Sequence, residues 1–340
     1  MCGYDRKATR SQEAAAKYLL MGGFASAFLL YGMALTYGAT GTTLLSQIAH
    51  DAVGTHGHLN TLLLAGLILM GIGLAFKASA APFHMWTPDV YQGAPVPVTA
   101  FMSVATKAAA FAMLLRIFVQ GLPGLQPQWA AMLAVIAAFS IVVGNLVALM
   151  QTDLKRLLAY SGIAQAGYVL IGVLGAVRSD VGAVLFYLVV YLFMNFGAFA
   201  VLVGLSGPNG ERPNLRDLNG LGYRRPALGL ALTLCMLSLA GFPPTVGFAG
   251  KFFLFAAGVQ AGYTWLVILA VVFSVISVAY YLRVIVHIYS PVAAPDATGP
   301  TWSQHVVVIV SGVLSLGVGI YPSLLLLLST ASANRVIGSP

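Results

Sequence analysis

Three lysines, Lys77, Lys107 and Lys251, each lie inside, or at the broken middle of, a long apolar stretch. A cation at bilayer depth costs at least roughly 2.5–3.5 kcal/mol on insertion scales. A chain with so few charges could avoid that cost. Burial disfavours the charged form of a lysine, so an intramembrane lysine can take up and release a proton. Three of them, two beside prolines or glycines that break the helix, point to a proton path through a membrane. His84, two residues after Pro82, titrates near neutrality when unperturbed and could relay protons. It could equally hydrogen-bond the backbone freed at the break.

Membrane helices hold these residues in place. Hydrophobic residues make up 59% of the chain and charged residues 8%, against about 25% charged in a soluble domain. The net charge of +8 follows from arginines and lysines in loops on one side, and is no nucleic-acid footprint. Cys2 and Cys235 show no metal spacing, and neither a disulfide nor a metal site is expected. A polar, charged start followed by a full-length apolar run argues against a cleavable signal peptide. A span needs about 20 mostly apolar residues, which predicts an all-α polytopic membrane protein of about nine transmembrane helices, two of them broken. The predicted spans are Ala14–Tyr37, Leu59–Ala80, Val98–Val119, Gln128–Met150, Leu157–Val177, Val181–Ser206, Ala227–Gln260 (interrupted), Thr264–Tyr289 and Gln304–Leu328. The longest polar loop is Gly207–Arg225, and Ala293–Pro300 is short and Pro-rich.

Loop cations set orientation. Arg6, Lys7 and Arg10, then Lys155 and Arg156, then Arg212, Arg216, Arg224 and Arg225 fall on one side when nine spans alternate. The other side has Arg178 and Arg335. The N-terminus is therefore expected in the cytoplasm and the C-terminus outside.

Two segments break the helical pattern. One runs from Lys77 through Pro82 to Pro88 and Asp89; the other is Gly241-Phe242-Pro243-Pro244, followed by Lys251. Proline removes a backbone donor and clashes with the preceding turn. Irregular backbone at membrane depth survives only where protein or a water-filled cavity surrounds it. Similar interruptions at matching places in two halves point to an ion or substrate site. The breaks fall about five spans apart, which suggests inverted five-helix repeats, the first incomplete. Residues 1–120 are the remainder of the first, 128–290 the second, and 304–328 a C-terminal transmembrane helix.

These residues also carry a resemblance. Lys77-Ala-Ser-Ala-Ala-Pro-Phe-His-Met-Trp-Thr-Pro-Asp-Val-Tyr-Gln-Gly-Ala-Pro95 resembles the signature of subunit N of NADH-quinone oxidoreductase, respiratory complex I. So do Ala105-Thr106-Lys107, Gln151 through Ser161, and Gly247-Phe248-Ala249-Gly250-Lys251-Phe252. The Pro-Phe-His-x-Trp-x-Pro-Asp core is shared with subunits of multisubunit cation/proton antiporters. The resemblance implies one half-channel per repeat, with Lys77 in the first broken helix, Lys107 central and Lys251 in the second broken helix. It implies that the chain begins at the sixth span, with the glutamate of the fifth, the partner of the first lysine, upstream of Met1. Partners would be other membrane subunits of complex I and the lipid bilayer of a bacterial inner membrane. NADH, FMN, iron–sulfur clusters and quinone would belong to other subunits, so no cofactor is expected in this chain. The alternatives are a subunit of a multisubunit sodium/proton antiporter, and a truncated remnant that conducts nothing.

Each polar residue also has a plainer reading. Lys77 could snorkel from a helix end, and Lys251 could offset carbonyls freed by Pro243 and Pro244. Asp89 is a counter-ion or, preferably, a cap for the helix after Pro88. Lys17 pairs with Glu13 four residues earlier, and Lys155 and Arg156 anchor topology. Tyr160, Ser161 and Gln165 share a helix face, as do Tyr187, Tyr191 and Asn195. Either set could hold water or glue helices together. Arg283 and His287 could form an exit. His50, His56 and His58 read as ordinary loop residues, His-x-His alone being a weak metal signal.

Overall fold

The computed structural model describes residues 1–52, 60–179, 181–205, 214–291 and 302–337. His56, His58, Arg212 and the Ala293–Pro300 loop lie outside the described residues. The chain folds as α1 (Thr9–Thr40), α2 (Leu45–Ala52), α3 (Thr61–Ala78), α4 (Trp86–Gly93) and α5 (Val96–Leu114, with a π-helical extension to Gly121). These are followed by α6 (Gln126–Leu149), α7 (Leu154–Gly175), α8 (Gly182–Leu205), α9 (Leu221–Arg224) and α10 (Pro226–Ala240). The last elements are α11 (Val246–Gln260), α12 (Thr264–Ile288), α13 (Trp302–Ile320) and α14 (Ser323–Ile337). Among the described residues the strand-like pairing is one isolated bridge, Asp153–Asn214.

Among the described residues seven helices are long and apolar enough to cross a membrane: α1, α3, α5 with its extension, α6, α7, α8 and α12. The interrupted span predicted over Ala227–Gln260 is two 15-residue helices, α10 and α11. The last predicted span, Gln304–Leu328, is not one straight helix: α13 and α14 meet at a bend of 91°. Pro322 sits at that bend, where it cannot donate to the preceding turn. The expected count is reached only when both pairs are taken as single spans.

The core is built around α7. Its membrane-length window is 94% buried, against 17% for α1, and it packs on α4, α5, α6, α8, α11 and α12. Its first turn is capped by Asp153, whose carboxylate accepts from Arg156 N at 3.0 Å. In lipid, helix association relies on close van der Waals packing at small residues. A Cβ on Gly167 would lie 2.7 Å from Ile141 of α6, so that position has room for hydrogen alone.

Both breaks end a helix in left-handed backbone and hand its freed groups to side chains. At the first, Ser79 has φ 61°. Ala81 N donates to Ser140 Oγ of α6 at 2.8 Å, and Trp86 Nε1 donates to Phe76 O at 3.0 Å. At the second, Gly241 has φ 86°, Gly247 N donates to Ser238 Oγ at 3.1 Å, and Lys251 Nζ donates to Ala240 O at 2.9 Å. Each break includes one cis X–Pro bond, Ala81–Pro82 and Pro243–Pro244. The backbones of α10 and α11 approach so closely that a Cβ on Gly247 would sit 1.7 Å from Ser238 O.

That approach predicts the effect of one methyl group. Gly247→Ala should cost about 1–3 kcal/mol by overpacking, read as less folded chain surviving a heat step in detergent. Gly317→Ala, where nothing lies within 4 Å, should survive as the parent does. Equal survival of both variants would refute the packing argument.

Candidate functional site

The three lysines sit in three different settings. Lys77 occupies the last turn of α3 and is half-buried, with its ammonium 5.8 Å from the Tyr18 ring centre. Lys107, in the middle of α5, is 2% exposed. It donates to Gly162 O of α7 at 2.6 Å and lies 5.6 Å from the Tyr191 ring. Lys251, in the second turn of α11, is 4% exposed. Besides Ala240 O it donates to Ser274 Oγ at 3.0 Å, and it lies 5.1 Å from the Tyr168 ring. A cation over an aromatic face gains roughly 0.5–2 kcal/mol, more when desolvated. Among the described residues no carboxylate lies within ion-pair distance of any of the three. A cavity of about 600 Å³ opens beside Lys251 between α11 and α12, lined by Phe248, Phe252, Phe255, Gln260 and Val271.

Buried polar side chains of α6, α7, α8 and α12 bond to one another near the residues that hold Lys107 and Lys251. Ser161 Oγ meets Tyr281 Oη at 2.5 Å. Gln165 Nε2 donates to Tyr281 Oη at 3.3 Å and to Leu239 O at 3.1 Å. Tyr187 donates its hydroxyl to Gln165 Oε1. To one side, Tyr280 Oη donates to Asn145 Oδ1, and Asn145 Nδ2 donates to Tyr168 Oη, both at 3.1 Å. Asn195 is 2% exposed, and its Nδ2 has no partner among the described residues. Buried polar groups of this kind are places where ordered water binds.

The structure divides some groupings read from sequence. Tyr160 leaves the face of Ser161 and Gln165 and meets His84 edge-on at 6.4 Å. Ser140 and Trp86 take up freed backbone groups of the first break, and His84 Nδ1 has no partner among the described residues. Asp89 is a counter-ion, not a helix cap: it accepts from Lys17 at 2.9 Å and from Arg156 at 2.7 Å. Helix α4 already starts at Trp86, so Asp89 lies inside its first turn. Lys17 also pairs with Glu13 at 2.7 Å. Lys155 donates to Ala94 O at 2.9 Å, and Gln92 to Asp153 at 2.8 Å. This cluster ties α1, α4 and α7 together at one end of the bundle. Arg283 ends up there too, donating to Leu149 O at 2.9 Å and Gln151 O at 2.5 Å, and His287 meets Asn219 Oδ1 at 2.7 Å. Sequence reading missed Tyr18, Asn145, Tyr168, Ser274, Tyr280 and Tyr281. An asparagine in an apolar run is a signal that could have flagged Asn145; the tyrosines look like packing residues.

The sequence matches the NADH:quinone oxidoreductase/Mrp antiporter transmembrane family over residues 1–277. The chain belongs to that family. It is 49% identical over 330 residues to NADH-quinone oxidoreductase subunit N of Trichlorobacter lovleyi, covering 96% of this chain and 67% of the relative. It spans about two thirds of the length of the curated relatives it matches. Among solved structures, a chain of respiratory complex I from Thermus thermophilus with bound aureothin is 42% identical with a TM-score of 0.82, covering 94% of this chain and 70% of that one. The Mrp complex from Dietzia sp. DQ12-45-1b gives a TM-score of 0.86 at 24% identity, covering 97% and 69%, and is a likeness of fold alone. The resemblance read from the broken-helix motif, to subunit N, is thus upheld.

Asn145 offers a test of the buried network. Asn145→Leu removes a partner from both Tyr168 and Tyr280, and a buried polar group left unsatisfied costs about 1–3 kcal/mol. The melting temperature of the purified protein in detergent should fall. An unchanged melting temperature would mean that these bonds hold nothing in place.

Proposed function

We propose that this chain is a proton-translocating membrane subunit of NADH-quinone oxidoreductase. One observation carries the proposal: Lys107 and Lys251 are buried in apolar helices, bonded to neutral oxygens alone among the described residues, and flanked by buried hydroxyls and amides of neighbouring helices. An ammonium fixed by a carboxylate would hold its proton; one held by carbonyl and hydroxyl oxygens can release it. Protons would enter from the cytoplasm, pass Lys77, with His84 as a possible relay beside it, and then Lys107, and leave past Lys251 toward the outer face. A proton on one lysine disfavours a proton on the next, so each charge pushes its neighbour.

NADH oxidation and quinone reduction would take place in other subunits, with NADH, FMN, iron–sulfur clusters and quinone bound there. The other membrane subunits of the complex would be the partners, in a bacterial inner membrane. Residues 1–120 and 128–290 would act as two antiporter-like repeats, followed by the C-terminal helix. The gathering of Lys17, Lys155, Arg156 and Arg283 at one end supports a cytoplasmic N-terminus under the positive-inside rule, with the C-terminus outside. The close likeness to subunit N supports this reading over a sodium/proton antiporter subunit.

Lys107→Ala and Lys251→Ala should each lower the number of protons moved per NADH oxidised in inverted membrane vesicles, while the complex still assembles. Normal proton-to-electron ratios in both variants would sink the proposal.

A further inference from the structure

Helix α7 presents two groups to Tyr281 of α12. Ser161 lies next to Gly162, whose carbonyl holds Lys107. Gln165 reaches Leu239 O, next to Ala240, whose carbonyl holds Lys251. Tyr281 Oη contacts both Ser161 and Gln165, and among the described residues no other side chain does. The three residues are 1–2% exposed, so they are shielded from bulk solvent.

The bonding also fixes the orientation of the Gln165 amide. Tyr187 donates to Gln165 Oε1, and Leu239 O can only accept, so the Gln165 amide is oriented by its neighbours. Its Nε2 must donate to Tyr281 Oη. Ser161 Oγ and Tyr281 Oη can each donate to the other, so Tyr281 accepts from Gln165 on one side and exchanges a hydrogen bond of either direction with Ser161 on the other. A hydroxyl passes a proton by accepting one on its oxygen as it releases its own on the other side.

We propose that Tyr281 is the relay and gate between the two lysines, on the reading that Lys107 and Lys251 carry protons. Water on the Lys107 side gives a proton to Tyr281 Oη as the hydroxyl proton leaves to water on the Lys251 side; the ring stays neutral and no bond to carbon changes. The hydroxyl must then turn about its C–O bond before the next transfer, against the hydrogen bond that Gln165 Nε2 donates to its oxygen. Gln165 is a positioning residue: an amide would have to pass through its imidic acid to carry a proton itself.

The test is the number of protons moved per NADH oxidised by the assembled complex in inverted membrane vesicles. Tyr281→Phe keeps the ring and removes the hydroxyl. Its ratio should fall as far as that of Lys251→Ala, with the amount of assembled complex unchanged, and the double variant should fall no further. Tyr31→Phe, on the exposed face of α1, should match the parent. Should Tyr281→Phe fail to accumulate, Ser161→Ala, which leaves the ring in place, should lower the ratio in the same way. A parental ratio in Tyr281→Phe beside a lowered one in Lys251→Ala overturns the relay and leaves the lysine path standing. Parental ratios in both variants overturn the lysine path itself. A loss that only tracks the amount of assembled complex marks Tyr281 as a packing residue and overturns the relay.

Discussion

An ammonium group inside an apolar bundle has to find oxygen, and here the oxygen comes from the main chain. Helical carbonyls are normally taken by the amide four residues on, so a lysine can claim one only where the ladder is opened or shared. Ala240 O is freed by the turn at Gly241 and goes to Lys251. Gly162 O is reached because the residue bearing it has no side chain: a Cβ there would lie 2.6 Å from Lys107 Nζ. The broken span, the glycines of α7 and the depth of the lysines are thus aspects of one requirement. Each lets main-chain oxygen solvate a buried charge.

That requirement explains why α7 is so thoroughly enclosed. It supplies the carbonyl for Lys107, the hydroxyl and amide that meet Tyr281, and the Tyr168 ring beside Lys251. Its N-terminus is fixed by the Asp153 cap and by Arg156 on Asp89. Helix α4, which follows the first break, is therefore bound to the same element that bridges the two buried lysines. A shift of α4 would reach α7 through Asp89 and Gln92 before it reached any other helix of the second half.

The lysines were legible because a cation in an apolar run is expensive and so has few ordinary explanations. The breaks were legible because proline and glycine act locally. Tyr281 was not: a tyrosine in an apolar helix is normally packing, and its role depends on Ser161, 120 positions away. The reversal over Asp89 has the same origin. From sequence its neighbours are Pro88 and Val90, and the partners that matter, Lys17 and Arg156, arrive only through the packing of α1 and α7. The bend between α13 and α14 was hidden because the apolar run continues across Pro322 without interruption.

Each of the three lysines lies near a tyrosine ring: Tyr18, Tyr191 and Tyr168 at 5.8, 5.6 and 5.1 Å. A π-face offers negative potential to a cation yet has no lone pair on which a hydrogen ion could settle. Among the described residues no carboxylate pairs with any of the three ammonium groups, and the rings ease the arrival of charge without competing for what it carries.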